Sequence, residues 1–448
     1  MNIALPKGIR SKQHISMLLA LGNGGLTILF YLAVVHFYGI GSRSDLFFAS
    51  LLLPNVLFTV TFGQLTEILV PFFIDCEEGS LRSTAFWNVS FAVSCLATLF
   101  GGLVFWPMVK VFPLLFPGIS RPSGLSATWM LLINSIYLIV FCVLTVKNCY
   151  LASGGHAVQM QLISVPGGIL ALVLLCLWGK SGRAEMISYA LLCGSIASLI
   201  WPARANFWSY RAGHLQKHLS GTWHRVRWLV LNATVSRCEP LFDGVLSAAV
   251  GTGALSVFYL FQRLIGFVHT AVQNGYILPF TKQLSEAAQE RSWRSLTLKL
   301  DKYTTQSIVI TGYLLVLSAA CLLPLRALPV TFARTLSGMF TQHWLIFVLL
   351  IPYGLSVIAV KLYGTGLYVL RLEHLFMKIG LGMFIIGMVL KIAAARLFAL
   401  EGLAAATSAY WIGYALILRF AVKTKLKDEI HLELQKSALV QIVGVVRS

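Results

Sequence analysis

At 448 residues, with 57% hydrophobic and 11% charged residues and a mean hydropathy of +0.79, the chain lies far from soluble domains, in which charged residues alone make up about a quarter. One membrane span takes roughly 20 apolar residues, so this length accommodates about a dozen spans and excludes a separate catalytic module of any size. The net charge of +19 is explained by Lys and Arg retained in cytoplasmic loops, and no nucleic-acid partner is expected.

The chain starts with Lys7, Arg10 and Lys12 ahead of an apolar segment too long for a signal peptide and without a small-residue cleavage site, which reads as a retained first span. Hydropathy predicts spans near 15–38, 45–73, 84–107, 125–150, 160–178 and 184–203. A second set is predicted near 226–250, 253–281, 304–325, 341–370, 376–398 and 401–422. The break between the sets is basic and carries histidines, as a surface linker would. The predicted organisation is an N-lobe over 1–204, a cytoplasmic linker over 205–225, a C-lobe over 226–422 and a cytoplasmic tail over 423–448. With the amino terminus inside, 22 of the 35 Lys and Arg fall on the cytoplasmic side and 8 on the other, which places both termini in the cytoplasm. Lys423, Lys425 and Lys427 then form a basic edge attractive to anionic membrane lipids.

The two sets repeat one another. A span, Gly39-Ile40-Gly41, a second span and Leu69-Val70-Pro71-Phe72 are echoed by a span, Gly251-Thr252-Gly253, a second span and Ile277-Leu278-Pro279-Phe280. An even number of spans per repeat predicts parallel repeats about an axis along the membrane normal, the arrangement in which transporters keep a substrate site between the halves.

Ionisable residues inside spans are costly and mark a site unless they pair. Arg237, Glu239, Asp243 and Arg263 fall in the first hairpin of the second set, and Lys361 and Lys391 lie deep in later spans. Arg263 reads as a cavity arginine for phosphate, whose planar fork suits anionic oxygens, or as an ion-pair partner of Glu239 or Asp243. Glu239 and Asp243, four residues apart, share a helix face and suit a bound cation, a proton relay or a helix end. Lys391 reads as the partner of a carboxylate or as a snorkelling lysine beside Arg396. Asp45 opens the second predicted span, where a carboxylate caps free N–H groups, and Pro54 is expected to break that helix. Eight scattered cysteines without C-x-x-C spacing read as core fillers. No nucleotide-binding, hydrolase or zinc-protease motif occurs, so the expectation is a transporter rather than an enzyme, with no cofactor.

Asp45-Leu-Phe-Phe-Ala, Leu53-Pro54-Asn55, Leu69-Val-Pro71-Phe, Tyr259 to Leu264, Ile277-Leu-Pro279, Lys361 before Tyr368, Lys378-Ile-Gly and Glu401-Gly402-Leu403-Ala-Ala-Ala-Thr407-Ser408 together resemble the MurJ/MviN family of lipid II flippases in the MOP exporter superfamily. The resemblance covers most of residues 15–422. It implies an all-α polytopic fold of about 12 transmembrane helices in two six-helix lobes around a cationic cavity, in the bacterial inner membrane. It also implies that the protein carries a polyprenyl-diphosphate-linked glycan, either lipid II or an exopolysaccharide or other envelope precursor, across that membrane by alternating access. On the same ground Arg263, Lys361 and Asp45 are expected substrate contacts and Asp243 and Thr407 coupling positions; as deep charges in their own right, Arg237 is added to the substrate contacts and Lys391 and Glu239 to the coupling set. Envelope-glycan synthases or polymerases are the protein partners it suggests.

The departures are specific. Arginines that the family places on its first and second spans fall here on Gly25, Phe30 and Thr59. Lys391 falls where some members carry a sodium ligand, so a tethered ammonium paired with Asp243 is expected instead of an ion. The two extra carboxy-terminal helices of lipid II flippases are absent. A cation-coupled small-molecule exporter of the related multidrug type, and a non-transporting scaffold of a synthase complex, are the competing readings.

Overall fold

The computed structural model describes residues 7–447 except 64, 66–68, 71, 74–79, 121–123, 155, 201–237, 274–276, 278–283, 285, 286, 288, 289, 291, 323–330 and 371. Among the described residues there are helices and turns and no strand. The first six long helices are α1 (Lys7–Tyr38), α2 (Ser42–Phe62), α3 (Ser80–Leu115), α4 (Gly124–Ser153), α5 (Ala157–Trp178) and α6 (Glu185–Ile200). After 201–237 come α7 (238–250), α8 (Ala254–Val272), α9 (Trp293–Leu322) and α10 (Thr331–Val369). The last element, Glu373–Arg447, turns at Phe398 and Ala399, where Ala399 has φ of 52°, and so divides into α11 (373–397) and α12 (400–447).

Among the described residues seven elements are long and apolar enough to cross a membrane, the last of them holding both α11 and α12, and α6 and α8 are shorter apolar helices. Most expose large hydrophobic side chains outward, Leu103, Leu114, Leu177 and Phe420 among them. In water that would be an aggregating surface; around a bundle of spans it is the face that meets lipid.

Three boundaries differ from the sequence expectation. Pro54 does not break α2: the helix runs through it to Phe62, because proline removes a single donor and Leu51, Leu52, Leu53 and Val56 on either side are locked in the core. Likewise α3 continues through Pro107 and Pro113 to Leu115. The segment expected as a plain tail is helical through Arg447, and Lys423 holds it to α9 by an ion pair with Asp301 at 2.8 Å.

Packing is dense within α1–α6 and within α8–α12, and the two sets meet chiefly where α1 and α2 lie against α8. The largest buried cluster sits at that meeting and includes Phe47 and Phe48 of α2 and Phe258, Tyr259 and Phe261 of α8, with the Phe48 and Tyr259 ring centres 4.7 Å apart. Gly24 of α1 makes the approach to α8 possible, since a Cβ there would stand 2.4 Å from the Phe267 ring.

Candidate functional site

The helices enclose a cavity of about 680 Å³ between the two sets, lined from α1, α2, α4, α5 and α6 on one side and from α7, α8 and α10 on the other. It occupies the half of the bundle farther from the Gly39–Gly41 and Gly251–Gly253 turns, and the buried aromatic cluster closes the half nearer to them. α8 presents Tyr259, Arg263 and Gly266 to it at helical spacing, which makes it the most amphipathic of the described helices.

Arg263 is surrounded by helices, yet its side chain is accessible from the cavity. Its guanidinium lies 4.7 Å from the centre of the Tyr259 ring and 5.7 Å from that of Tyr31, and Nη2 donates to the Tyr259 hydroxyl one helical turn back. Ring faces steady the cation without neutralising it, so the remaining N–H groups are available to an anion. Among the described residues no carboxylate pairs with Arg263, and Glu239 and Asp243 pair with Lys391 instead, which removes the ion-pair reading with either. Lys361 of α10 also lines the cavity, and its Nζ donates to Gln273 Oε1 of the α8 region. Among the described lining residues there is no Asp or Glu.

Glu239, Asp243 and Lys391 come together behind this wall. Lys391 Nζ is 2.6 Å from Glu239 Oε1 and 2.8 Å from Asp243 Oδ1, so the expected Asp243–Lys391 pair is present and Glu239 joins it. Trp411 Nε1 donates to Glu239 at 2.8 Å, and the ammonium lies 5.0 Å from the Tyr410 ring centre. Lys391 is 1% exposed, so it does not snorkel toward Arg396. Gln262, a cavity residue, donates to Asp243 Oδ2 at 3.3 Å and ties the cluster to the wall. Thr407 is buried nearby in sequence terms on α12, but its hydroxyl donates to the Leu403 carbonyl.

Asp45 is not at the cavity. It is fully buried at the opposite end, where Oδ2 accepts from the Gly253 N–H at 2.5 Å and Oδ1 accepts from the Ser256 N–H at 2.8 Å and from the Ser256 hydroxyl. A carboxylate expected to cap its own helix, or to touch substrate, thus caps α8 of the other half; α2 is capped by Ser44 instead. Gly253 has φ of 87° and packs so closely that a Cβ would meet Ile40 Cγ2 at 2.7 Å. Arg237 lies outside the described residues.

A second cavity, of about 670 Å³, opens beside the starts of α2, α4 and α6 and holds Arg43, Arg183 and Glu185. None of the expected site residues lines it.

No family model matches the sequence, and no curated protein matches it either. Solved structures do. The lipid II flippase MurJ in an inward closed conformation aligns with a TM-score of 0.67 at 17% identity, over 97% of this chain and 92% of that one. An inward-facing multidrug resistance MATE transporter of the MOP superfamily aligns at 0.66 and 14% identity, over 93% and 99%. A mutant of the Vibrio cholerae MATE transporter VcmN gives 0.60 and 12%, over 93% and 97%. The chain has the fold of MOP-superfamily transporters.

Within that fold, several contacts escaped the sequence reading although signals for them existed. Tyr259 precedes Arg263 by one turn, the spacing at which helical side chains meet. Ser44 Oγ and Ser256 Oγ lie 2.9 Å apart at a separation of 212 residues, the same offset that separates Gly39 from Gly251. Equivalent residues of two repeats touch each other where a two-fold axis passes, so the repeat itself pointed at this pair. Of the three positions where arginine was missing, only Thr59 lines the cavity, and Phe30 is buried in the core.

Proposed function

We propose that the protein is a flippase for a polyprenyl-diphosphate-linked glycan, with the diphosphate bound by Arg263 and Lys361. The observation that carries the reading is a cavity between two helical sets that holds these two cations and, among the described residues, no acid. A diphosphate cannot cross hydrocarbon bare, whereas forked and ammonium donors in a wet cavity replace its hydration. The lobes are 1–204 and 226–422 with the linker on the cytoplasmic side, so the cavity faces the cytoplasm and the Asp45 contact closes the outer side. Glu239, Asp243 and Lys391 are assigned to coupling between the halves of the cycle, reached from the cavity through Gln262, rather than to substrate.

The MATE neighbours favour a second reading, export of a small molecule. Cationic drugs call for acidic cavity residues, and the deep acids here are occupied by Lys391 and by the start of α8. The deciding experiment is leaflet translocation of a fluorescent polyprenyl-diphosphate glycan in proteoliposomes, comparing wild type with Arg263→Ala. Loss of translocation in the variant is expected. Failure of the wild type to move any such lipid, together with cation-driven drug uptake, would sink the reading.

A further inference from the structure

The two walls of the central cavity differ in kind. Both cations, Arg263 and Lys361, come from α8 and α10. The facing wall, from α1, α2, α5 and α6, offers amides and hydroxyls instead: Asn23, Thr27, Asn55, Thr59, Gln161 and Ser195. Thr27 donates to the Asn23 carbonyl at 3.0 Å and Thr59 to the Asn55 carbonyl, so each threonine spends its hydrogen on its own helix and keeps oxygen lone pairs. Asn23 Nδ2 bonds Gln161 at 2.8 and 3.2 Å, which fixes the amides across α1 and α5. Fixed neutral donors and acceptors suit sugar hydroxyls and acetamido groups, and they hold no countercharge for a carboxylate.

A diphosphate diester carries two negative charges, one on each phosphate, and the described residues lining the cavity include two cations, Arg263 and Lys361. Any acid on the glycan adds a charge for which the described walls offer no partner, so it keeps only its water, and occlusion at mid-bilayer strips that at a cost. Building on the flippase reading, we propose that the protein selects a lipid whose glycan is uncharged, and that the neutral wall of α1, α2, α5 and α6 is the specificity element that receives the sugars and disfavours glycans bearing carboxylates.

The test uses the full chain in proteoliposomes with two fluorescent lipids on one polyprenyl diphosphate, the first with a neutral N-acetylated disaccharide, the second with the same disaccharide carrying three carboxylates. Wild type should translocate the neutral lipid at least about tenfold faster, the ratio that a difference of about 1.4 kcal/mol produces. Thr59→Arg should raise the acidic-to-neutral rate ratio several-fold by adding a cation to the neutral wall, and Gln161→Arg provides the same test on α5 should the first variant fail to fold. Equal rates for the two lipids, or an unchanged ratio in a folded arginine variant, overturns the inference and leaves the flippase reading standing. If neither lipid moves or binds, the flippase reading falls and this inference with it.

Discussion

Arg263 and Lys391 are both cations in the middle of apolar helices, and their neighbours give them opposite parts. Lys391 is 1% exposed and holds two carboxylates within 2.8 Å, so its charge is spent inside the protein. Arg263 has aromatic faces and a phenol but, among the described residues, no carboxylate, so its charge remains available to a ligand. The substitutions should separate accordingly. Lys391→Met leaves Glu239 and Asp243 buried without a counter-ion and is expected to cost about 3–5 kcal/mol of stability, read as earlier thermal unfolding of the detergent-solubilised protein. Replacing all three at once, with Glu239→Gln and Asp243→Asn, should recover most of that loss, since neutral groups of similar size carry no buried charge. Arg263→Ala should unfold no earlier than wild type while losing binding of a polyprenyl diphosphate, and Arg263→Lys should retain only part of it because one ammonium cannot match a planar fork.

At the scale of elements, α8 is the helix on which the halves depend. Its start is held by a carboxylate from α2, its middle carries the cavity arginine, and Phe267 lies over Gly24 of α1. A charged acceptor serving three donors at a helix N-terminus contributes more than a neutral cap, because the helix dipole and hydrogen bonding act together. Asp45→Asn keeps one acceptor oxygen and loses the charge, so about 2 kcal/mol of the contact should go, or about 30-fold in the balance between the closed and open states of this end of the bundle. Spin labels at Ile40→Cys and Thr252→Cys, on the two abutting turns, report it: the distance distribution should broaden to longer separations in the variant. A distribution identical to that of the Asp45 protein would mean that the contact does not hold this end of the bundle shut.

At the scale of the whole molecule, two repeats meet at residues that are equivalent in the repeat. Ser44 and Ser256 hydrogen-bond at 2.9 Å beside Asp45, at the end of the bundle away from the cavity. A transporter working by alternating access must part them to expose the cavity on that side. Ser44→Cys with Ser256→Cys, in a background without the eight native cysteines, should form a disulfide on mild oxidation and arrest transport until reduced. Continued transport by the fully cross-linked protein would show that the end away from the cavity need not open.

The sequence by itself determined the class of the molecule: helices apolar all round have no water-soluble face, so composition and span length settle a polytopic helical fold before any contact is known. It also suggested a repeat, because turn glycines recur 212 residues apart and prolines 208 apart, and it singled out the deep charges, because each is costly in an apolar helix. Tertiary structure alone decided which charges are spent and which are free. Asp243 and Lys391 are far apart along the chain and meet only because α7 packs near α11; Asp45 accepts from Gly253, 208 residues later, at the start of α8. The neutral wall was equally hidden, since asparagines, threonines and glutamines scattered over α1, α2 and α5 form a surface only when those helices are side by side. Which groups face one another depends on packing between distant segments, and no local pattern in the chain encodes that.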